Sequence, residues 1–165
     1  MNNEFYIHGQ VALITGGNVG IGRITAIELA KKGFKVIIAG RSLERTQPVL
    51  DHINSLAVDE QPLFLPLDLA SFASIRDCAR LFVQLNLPLH LLINNAGVAG
   101  LRGLTQDGFE MTFGINHLGH FLLTQLLLEK LQSSGHSRVI TVSSRAHKRA
   151  AEIDWDALQI GRAHV

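Results

Sequence analysis

An apolar run, Val11-Ala12-Leu13-Ile14, leads directly into the glycine-rich sequence Thr15-Gly16-Gly17-Asn18-Val19-Gly20-Ile21-Gly22. Glycines in such a sequence allow a sharp turn at positive φ, a close approach of the backbone to a bound group, and close packing of a helix on a strand. The unpaired N–H groups and the positive dipole end of the helix attract an anion. The pattern therefore predicts a turn that holds a pyrophosphate. A structural turn without a ligand is the alternative, because spaced glycines alone are weakly specific.

The residues that follow complete the same unit. Small or apolar residues recur at helical spacing between Thr25 and Ala30, and Gly33 is suitably placed to end this helix. The next segment, Val36-Ile37-Ile38-Ala39, is apolar and rich in β-branched residues, which predicts a second strand. Strand, glycine turn, helix and strand together form the first half of a mononucleotide-binding unit.

The rest of the chain continues to alternate between helices and strands. The further elements predicted are a helix at Arg41–Leu56, a strand at Leu63–Leu65, a helix that Ser71 caps and that ends before Pro88, a strand at Leu89–Ile93, a helix at Phe109–Leu131 and a strand at Arg138–Val142. Each strand is a nearly continuous apolar run, which favours a parallel sheet covered on both faces. The predicted fold is α/β: a Rossmann-type, doubly wound parallel sheet in three layers, incomplete after the fifth strand.

The predicted helix from Phe109 is apolar on nearly every side and must therefore be covered on every side. One interpretation is that it packs on the sheet and also against a second copy of the chain, which gives a homodimer. The other is that a later helix of the same chain covers it.

Composition narrows the class of protein. The chain has 165 residues, of which 47% are hydrophobic and 18% charged, and its net charge of +1 with no basic stripe argues against a dedicated nucleic-acid binder. Cys78 is the single cysteine, which excludes an internal disulfide, and its helical spacing predicts burial. No apolar run is long enough to span a membrane, and no signal peptide is evident. We therefore expect one soluble domain in a reducing compartment, the cytoplasm.

Four further segments extend the pattern beyond the glycine turn. They are Leu67-Asp68-Leu69, Asn94-Asn95-Ala96-Gly97, Gly114-Ile115-Asn116-His117-Leu118-Gly119-His120-Phe121 and Val142-Ser143-Ser144-Arg145-Ala146-His147. With these segments in this order, residues 8–159 resemble a classical short-chain dehydrogenase/reductase of the retinol dehydrogenase-like branch. The ordered series is specific, although each member alone is not.

The resemblance implies roles for individual residues. The cofactor-binding residues that it implies are Gly16, Asn18, Val19, Gly20, Ile21, Gly22, Arg41, Asp68, Leu69, Asn95, Ala96 and Gly97. Asp68 would meet the adenine amino group, Leu69 would cover the ring, and Asn95, Ala96 and Gly97 would line the ribose side. Ser144 would be the catalytic serine that binds the substrate oxygen, and Asn116 would hold a water of the proton relay.

Several of these residues also have an ordinary structural interpretation. Asp68 could be a carboxylate that leads a helix, Asn94-Asn95 a turn after a strand, and Ser144 a strand end. Asn116 lies within an apolar stretch, so we expect a buried amide that needs hydrogen-bond partners.

The residues after the second strand bear on the choice of cofactor. Proteins that bind NAD usually place an Asp or Glu there to accept hydrogen bonds from the ribose. The sequence here is Ala39-Gly40-Arg41-Ser42, with no carboxylate and with a guanidinium suited to a phosphate. This favours NADP over NAD, unless Arg41 is only a solvated charge. The lack of a carboxylate after the second strand also argues against a methyltransferase, which would need an acidic residue at this position.

The family's reaction requires a tyrosine and, one helical turn later, a lysine. The sequence has one tyrosine, Tyr6, and no Tyr-x-x-x-Lys. The resemblance stops after Gln159, and the last residues, Ile160-Gly161-Arg162-Ala163-His164-Val165, match a translated sequencing adapter. We therefore expect a dinucleotide-binding domain at residues 1–159, a non-native tail at 160–165, and a fragment that is inactive and poorly soluble.

The resemblance implies an oxidoreductase that interconverts a small apolar alcohol and a carbonyl, such as a retinoid, steroid or lipid aldehyde. A non-catalytic dinucleotide-binding or scaffold protein of the same fold is the alternative. His117 and His120 lie close in sequence, but no third ligand is spaced to join them. We therefore expect no metal site and interpret both histidines as core or helix-face residues.

Overall fold

The computed structural model describes residues 9–56 and 58–149 of the chain. Over these residues it has one parallel sheet in the strand order β3-β2-β1-β4-β5. The strands are β1 (Val11–Thr15), β2 (Lys35–Gly40), β3 (Leu63–Pro66), β4 (Leu91–Asn94) and β5 (Arg138–Thr141). The helices are α1 (Gly20–Lys31), α2 (Leu43–Ser55), α3 (Phe72–Gln84), the single turn α4 (Met111–Phe113), a π-helical segment (Gly114–Gly119), α5 (His120–Leu126), α6 (Leu128–Ser133) and a 3₁₀ segment (Arg145–Arg149).

Alternation along β1 divides the core between the two faces of the sheet. Leu13 packs on one face in a cluster that includes residues of α3 and α5, and Ile14 packs on the other with residues of α1 and α2. Both side chains are fully buried, as expected for a central parallel strand. The predicted α/β fold with a doubly wound parallel sheet is confirmed, and the crossing point between β1 and β4 places a ligand crevice at their carboxyl ends.

Several element boundaries differ from the prediction by one or two residues. α2 begins at Leu43 instead of Arg41, because Ser42 is its N-cap and its hydroxyl accepts a hydrogen bond from the Arg45 N–H at 3.1 Å. β4 begins at Leu91 instead of Leu89, whose N–H donates to the Ser134 hydroxyl at 2.8 Å.

The prediction of one continuous helix from Phe109 to Leu131 is wrong. Phe109 lies in a turn, where its N–H donates to the Thr105 hydroxyl at 3.1 Å. The helix that follows is interrupted by the π-helical segment and by a break at Leu127. A Cβ built on Gly119 would lie 2.8 Å from the carbonyl oxygen of Leu69, so the chain approaches its neighbour too closely there for any side chain. The irregular turn accommodates this approach.

The helical region after Gly119 is only partly covered. Leu123, Leu127 and Leu131 pack in the core, whereas 58% of Phe121 is exposed. The neighbouring strand β5 is exposed along its whole length. Whether a second copy of the chain covers this surface stays a prediction, and so does self-association of the 165-residue chain, which sedimentation velocity would test.

Cys78 lies in the core with no exposed surface, as predicted. Burial raises the pKa of its thiol to about 12, so the residue behaves as a small hydrophobic group. In the part of the chain that the structure describes, no helix is both long enough and apolar enough to cross a bilayer.

His90 joins β1 to the segment before β4 through a neutral imidazole. The Val11 N–H donates to Nδ1 of His90 at 3.0 Å, which requires that nitrogen to be unprotonated. Burial lowers the pKa of His90 below its ordinary value. A histidine with a depressed pKa in the folded state contributes stability above the unfolded pKa of about 6.5, and this contribution is lost as the pH falls below that value.

We therefore expect the urea concentration at the midpoint of unfolding to decrease when the pH is lowered from about 7.5 to about 5.5. His90→Gln should weaken this dependence, because the amide does not titrate. Circular dichroism at both pH values measures the midpoints. The same slope in His90→Gln as in the parent chain would assign the acid sensitivity to other groups.

Candidate active site

A cleft of about 680 Å³ opens at the carboxyl ends of the central strands. This volume lies within the range of pockets for small molecules and cofactors. The predicted cofactor residues that line it are Gly16, Asn18, Val19, Ile21, Gly22, Arg41, Asp68, Leu69, Asn95, Ala96 and Gly97. It is also lined by Thr15, Ala39, Gly40, Arg45, Leu67, Val98, Ile115 and Val142. Among the predicted cofactor residues, Gly20 does not contribute to the wall.

The glycine turn forms one wall, and two of its glycines need their lack of a side chain. Gly16 has a φ of +68°, and a Cβ there would lie 3.0 Å from Cα of Ala96. A Cβ on Gly22 would collide with the Asn95 amide and the Gly16 carbonyl oxygen. Gly20 has a φ of +54° with open space around it, so its requirement is conformational.

The first turn of α1 leaves its backbone N–H groups without a side-chain cap. Val19 is the N-cap, has an extended backbone and makes no capping hydrogen bond. No acidic residue lies in this first turn. The helix has 12 residues, so its dipole adds a partial positive charge at the cleft. These features suit a bound anion.

The opposite wall is the segment after β4, and hydrogen bonds fix it to the end of β1. The Thr15 hydroxyl accepts from the N–H groups of Asn95 at 3.0 Å and Ala96 at 2.9 Å. The Asn95 amide donates to the carbonyl oxygens of Thr15 at 2.9 Å and Gly16 at 3.2 Å. Asn95 therefore braces the glycine turn and lines the cleft at the same time.

The far end of the cleft carries Asp68, Leu69 and two arginines. Asp68 is half-buried, and its carboxylate accepts from the Ala70 N–H at 3.0 Å. The ion pairs in residues 9–56 and 58–149 join Lys31 to Glu28, Lys35 to Glu60 and Arg80 to Asp77. Both Arg41 and Arg45 therefore line the cleft without a carboxylate partner in the described structure.

Arg45 was missed by the sequence analysis. In sequence it is one of several charged residues on an amphipathic helix, most of which face solvent. The available signal was its place in the first turn of α2, three residues after the N-cap Ser42. That turn lies beside Arg41 at the carboxyl end of β2, so a second cation at this corner could have been inferred.

Asn116 is exposed, so the expectation of a buried amide is wrong. Its side chain nevertheless has two partners: Oδ1 accepts from the Val98 N–H and Nδ2 donates to the Val98 carbonyl oxygen, both at 2.8 Å. A Cβ on Gly97 would lie 3.4 Å from Oδ1 of Asn116. Asn116 therefore supports the wall of the cleft at Gly97 and Val98. Its own side chain is reached by solvent.

Ser144 follows β5, two residues after Val142, which lines the cleft. It is exposed, and its hydroxyl accepts from the Ala146 N–H at 3.2 Å. In the described residues no hydrogen bond joins Ser144 to Asn116. Neither of these two predicted catalytic residues is among those that line the cleft.

The two histidines His117, in the π-helical segment, and His120, at the start of α5, have different environments. His117 is exposed and stacks on Phe113, with ring centroids 5.2 Å apart. His120 is buried, with Nε2 2.9 Å from the Thr15 hydroxyl and Nδ1 3.1 Å from the Asn116 carbonyl oxygen. Both nitrogens of His120 therefore have protein partners. Across residues 9–56 and 58–149, no three His, Cys, Asp or Glu residues lie together in a way that could hold a metal ion.

Comparison with known families gives a consistent result. The model of the family described as short chain dehydrogenase matches residues 10–153. Polyprenol dehydrogenase of Mus musculus is 52% identical over 144 residues, which cover 84% of this chain and 43% of that protein. Retinol dehydrogenase 13 of Homo sapiens is 46% identical over 153 residues, which cover 92% of this chain and 46% of that protein. The chain thus spans just under half the length of these curated relatives.

Solved structures show the same fold. The Pseudomonas aeruginosa RhlG/NADP active-site complex is 30% identical, with a TM-score of 0.76, and the match covers 98% of this chain and 64% of that one. The 3-ketoacyl-(acyl-carrier-protein) reductase from Brucella melitensis, complexed with NADH, is 26% identical, with a TM-score of 0.72. That match covers 87% of this chain and 60% of the other.

Proposed function

Because the chain belongs to the short-chain dehydrogenase family, we propose that it is the dinucleotide-binding part of an NADP(H)-dependent oxidoreductase that interconverts an alcohol and a carbonyl. The observation that carries this proposal is the glycine cradle at the carboxyl ends of β1 and β4. A side chain at Gly16 would press on Ala96, and one at Gly22 would collide with Asn95 and the Gly16 carbonyl oxygen, so either would deform the turn that lines the cleft. The residues present therefore fit a nicotinamide dinucleotide.

Each wall of the cleft has a separate task in this proposal. The uncapped N–H groups of α1 bind the pyrophosphate, and the segment from Asn95 to Gly97 orients the adjoining ribose. Asp68 and Leu69 contact the adenine. When bound, the dinucleotide supplies or accepts a hydride, and Ser144 donates a hydrogen bond to the substrate oxygen.

The choice of NADP over NAD rests on charge. Arg41 and Arg45 both line the end of the cleft next to β2, and neither has a carboxylate partner in the described part of the chain. Glu44, the acidic residue in the first turn of α2, does not line the cleft. Two guanidinium groups with free donors suit the 2′-phosphate that distinguishes NADP. Similar structures have been solved with NADP and with NADH, so fold alone does not decide.

The 165-residue chain is not expected to turn over substrate by itself. Its one tyrosine, Tyr6, and its last residues, 150–165, lie outside the described residues. No Tyr-x-x-x-Lys occurs in the sequence, so it lacks the general acid that the family's reaction requires. We propose residues 1–159 as the dinucleotide-binding domain and 160–165 as the non-native tail.

For the whole protein we propose a small apolar alcohol or carbonyl substrate of the retinoid, steroid or lipid-aldehyde kind. The names of the relatives, retinol dehydrogenase and polyprenol dehydrogenase, support an apolar alcohol. We also propose a homodimer that forms through the helical region around Phe121. We propose a cytoplasmic location as well. The absence of Tyr-x-x-x-Lys also keeps open a second candidate, a dinucleotide-binding protein without catalysis.

Fluorescence titration of the chain with NADPH and with NADH tests the cofactor proposal. We expect NADPH to bind at least about tenfold more tightly, the effect of one charge-assisted contact to phosphate. Equal affinities would refute the 2′-phosphate site, and binding of neither would refute the cofactor assignment. An alcohol dehydrogenase assay on a chain of the full length of the curated relatives would separate the enzyme from the non-catalytic alternative.

A further inference from the structure

His120 is the buried residue that joins the three segments around the mouth of the cleft. Its ring lies between the end of β1, represented by Thr15, and the π-helical segment, represented by Asn116. Only 4% of its surface is exposed. Thr15 in turn holds the N–H groups of Asn95 and Ala96. One imidazole thus connects the glycine turn, the wall after β4 and the segment that carries Asn116.

Counting protons along this network fixes the tautomer of His120. The Thr15 hydroxyl accepts two N–H hydrogen bonds, so both of its lone pairs are used. Its single proton therefore goes to an acceptor, and Nε2 of His120 at 2.9 Å is nearer than the Ile93 carbonyl oxygen at 3.5 Å. Nε2 must then be unprotonated. The proton of a neutral ring lies on Nδ1 and is donated to the Asn116 carbonyl oxygen.

We propose that His120 is a positioning residue which, as a neutral ring protonated on Nδ1, ties the Asn116 carbonyl to the Thr15 hydroxyl and so holds Asn116 against the wall of the cleft. The link to dinucleotide binding rests on the function proposed above, whereas the tautomer does not. Burial lowers the pKa of His120 and outweighs the hydrogen bond to Asn116, which raises it; the nearby His117 lowers it further. These effects favour the neutral ring.

The consequence for the site follows from the direction of the hydrogen bonds. A ring protonated on Nε2 would point an N–H at the Thr15 hydroxyl, which has no lone pair left to accept it. Either Thr15 would release Asn95 or Ala96, or His120 would move away from Thr15; its unprotonated Nδ1 would at the same time lose the hydrogen bond to the Asn116 carbonyl oxygen. Each movement displaces a wall of the cleft, so the tautomer of His120 and the geometry at Asn116 are coupled.

Nitrogen NMR of the ¹⁵N-histidine-labelled full chain tests the tautomer directly. Comparison with His120→Gln assigns the signals of His120. We expect a pyridine-type Nε2 and a protonated, pyrrole-type Nδ1 at about neutral pH. A ring protonated on Nε2, or on both nitrogens, would overturn the proposal. This measurement needs no dinucleotide, so it stands even if the proposed function fails.

Two amide substitutions of different length test the two ends of the link separately. His120→Gln places an amide oxygen near the position of Nε2 and can still accept from Thr15, whereas His120→Asn places its amide near Nδ1 and falls short of Thr15. Gln loses the donor to the Asn116 carbonyl and Asn loses the acceptor for the Thr15 hydroxyl, so we expect NADPH to bind each variant about five- to tenfold more weakly, the effect of one lost hydrogen bond. Parent-like NADPH binding in either variant would overturn the positioning role.

Discussion

Gly22→Ala is expected to weaken dinucleotide binding strongly and to destabilise the chain. The new Cβ would collide with the Gly16 carbonyl oxygen and with the Asn95 amide. The first is backbone, and the second is fixed by hydrogen bonds to Thr15 and Gly16, so neither can yield without moving the turn. Forcing a group into such a contact costs about 1–3 kcal/mol. If the turn carries 2–3 kcal/mol of that strain, the dinucleotide affinity falls roughly 30- to 150-fold.

Gly40→Ala is the matched control. Gly40 lines the same cleft and has no positive φ, and a Cβ there would meet only a ring carbon of Phe64 at 3.9 Å. The same change of residue should therefore leave stability near the parent value, and it separates the collision at Gly22 from the general effect of alanine in this wall. Fluorescence titration with NADPH and urea unfolding give both quantities for each variant. Parent-like binding in Gly22→Ala would remove the cradle as the basis of the proposed function.

The sequence predicts the sheet well because each of its signals is local. The apolar run at residues 11–14 is long enough for a buried strand, and the glycine turn specifies both a sharp reversal and a helix start. The side chains on successive positions of β1 then pack on opposite faces. Alternating strands and helices with right-handed crossovers leave few topologies, and the order β3-β2-β1-β4-β5 is one of them; the structure supplies this order.

The irregular helix after Phe109 could not be predicted from its apolar pattern. The π-helical segment ends at Gly119, where the chain passes so near the Leu69 carbonyl that a Cβ would not fit, and such an approach between segments far apart in sequence leaves no local signal. The pattern also suggested that Asn116 is buried, since its neighbours are apolar. Burial is decided instead by the position of this turn at the open mouth of the cleft, where Val98 supplies the partners that the amide needs.

The role of His120 was equally invisible in sequence. A histidine in an apolar stretch is usually a core residue whose ring nitrogens have hydrogen-bond partners, and this is true of His120. What this interpretation omits is the identity of the partner, because Thr15 is 105 positions away along the chain. Spacing can indicate that a residue is buried, but only the folded structure shows that His120, at the start of α5, meets Thr15 at the end of β1.

Arg41→Asp is expected to reverse the preference between the two cofactors. A hydrogen bond to a charged group contributes about 1.5–3 kcal/mol, so losing one arginine from the proposed 2′-phosphate site should weaken NADPH binding roughly 10- to 150-fold. The new carboxylate adds repulsion toward the phosphate. It can also accept hydrogen bonds from the free ribose hydroxyls of NADH, whose affinity should stay constant or rise.

Arg45→Ala separates the second arginine from the first, and Arg23→Ala provides the control. Arg45→Ala should weaken NADPH binding without changing NADH binding, because only NADPH carries the 2′-phosphate. Arg23 is exposed on α1 and does not line the cleft, so its removal changes the net charge by the same amount without altering the site. Titrations of all variants at low and high salt then separate a general field effect from a specific one. If Arg23→Ala weakens NADPH as much as Arg45→Ala does, the preference arises from net charge, and Arg45 has no specific role in binding the phosphate.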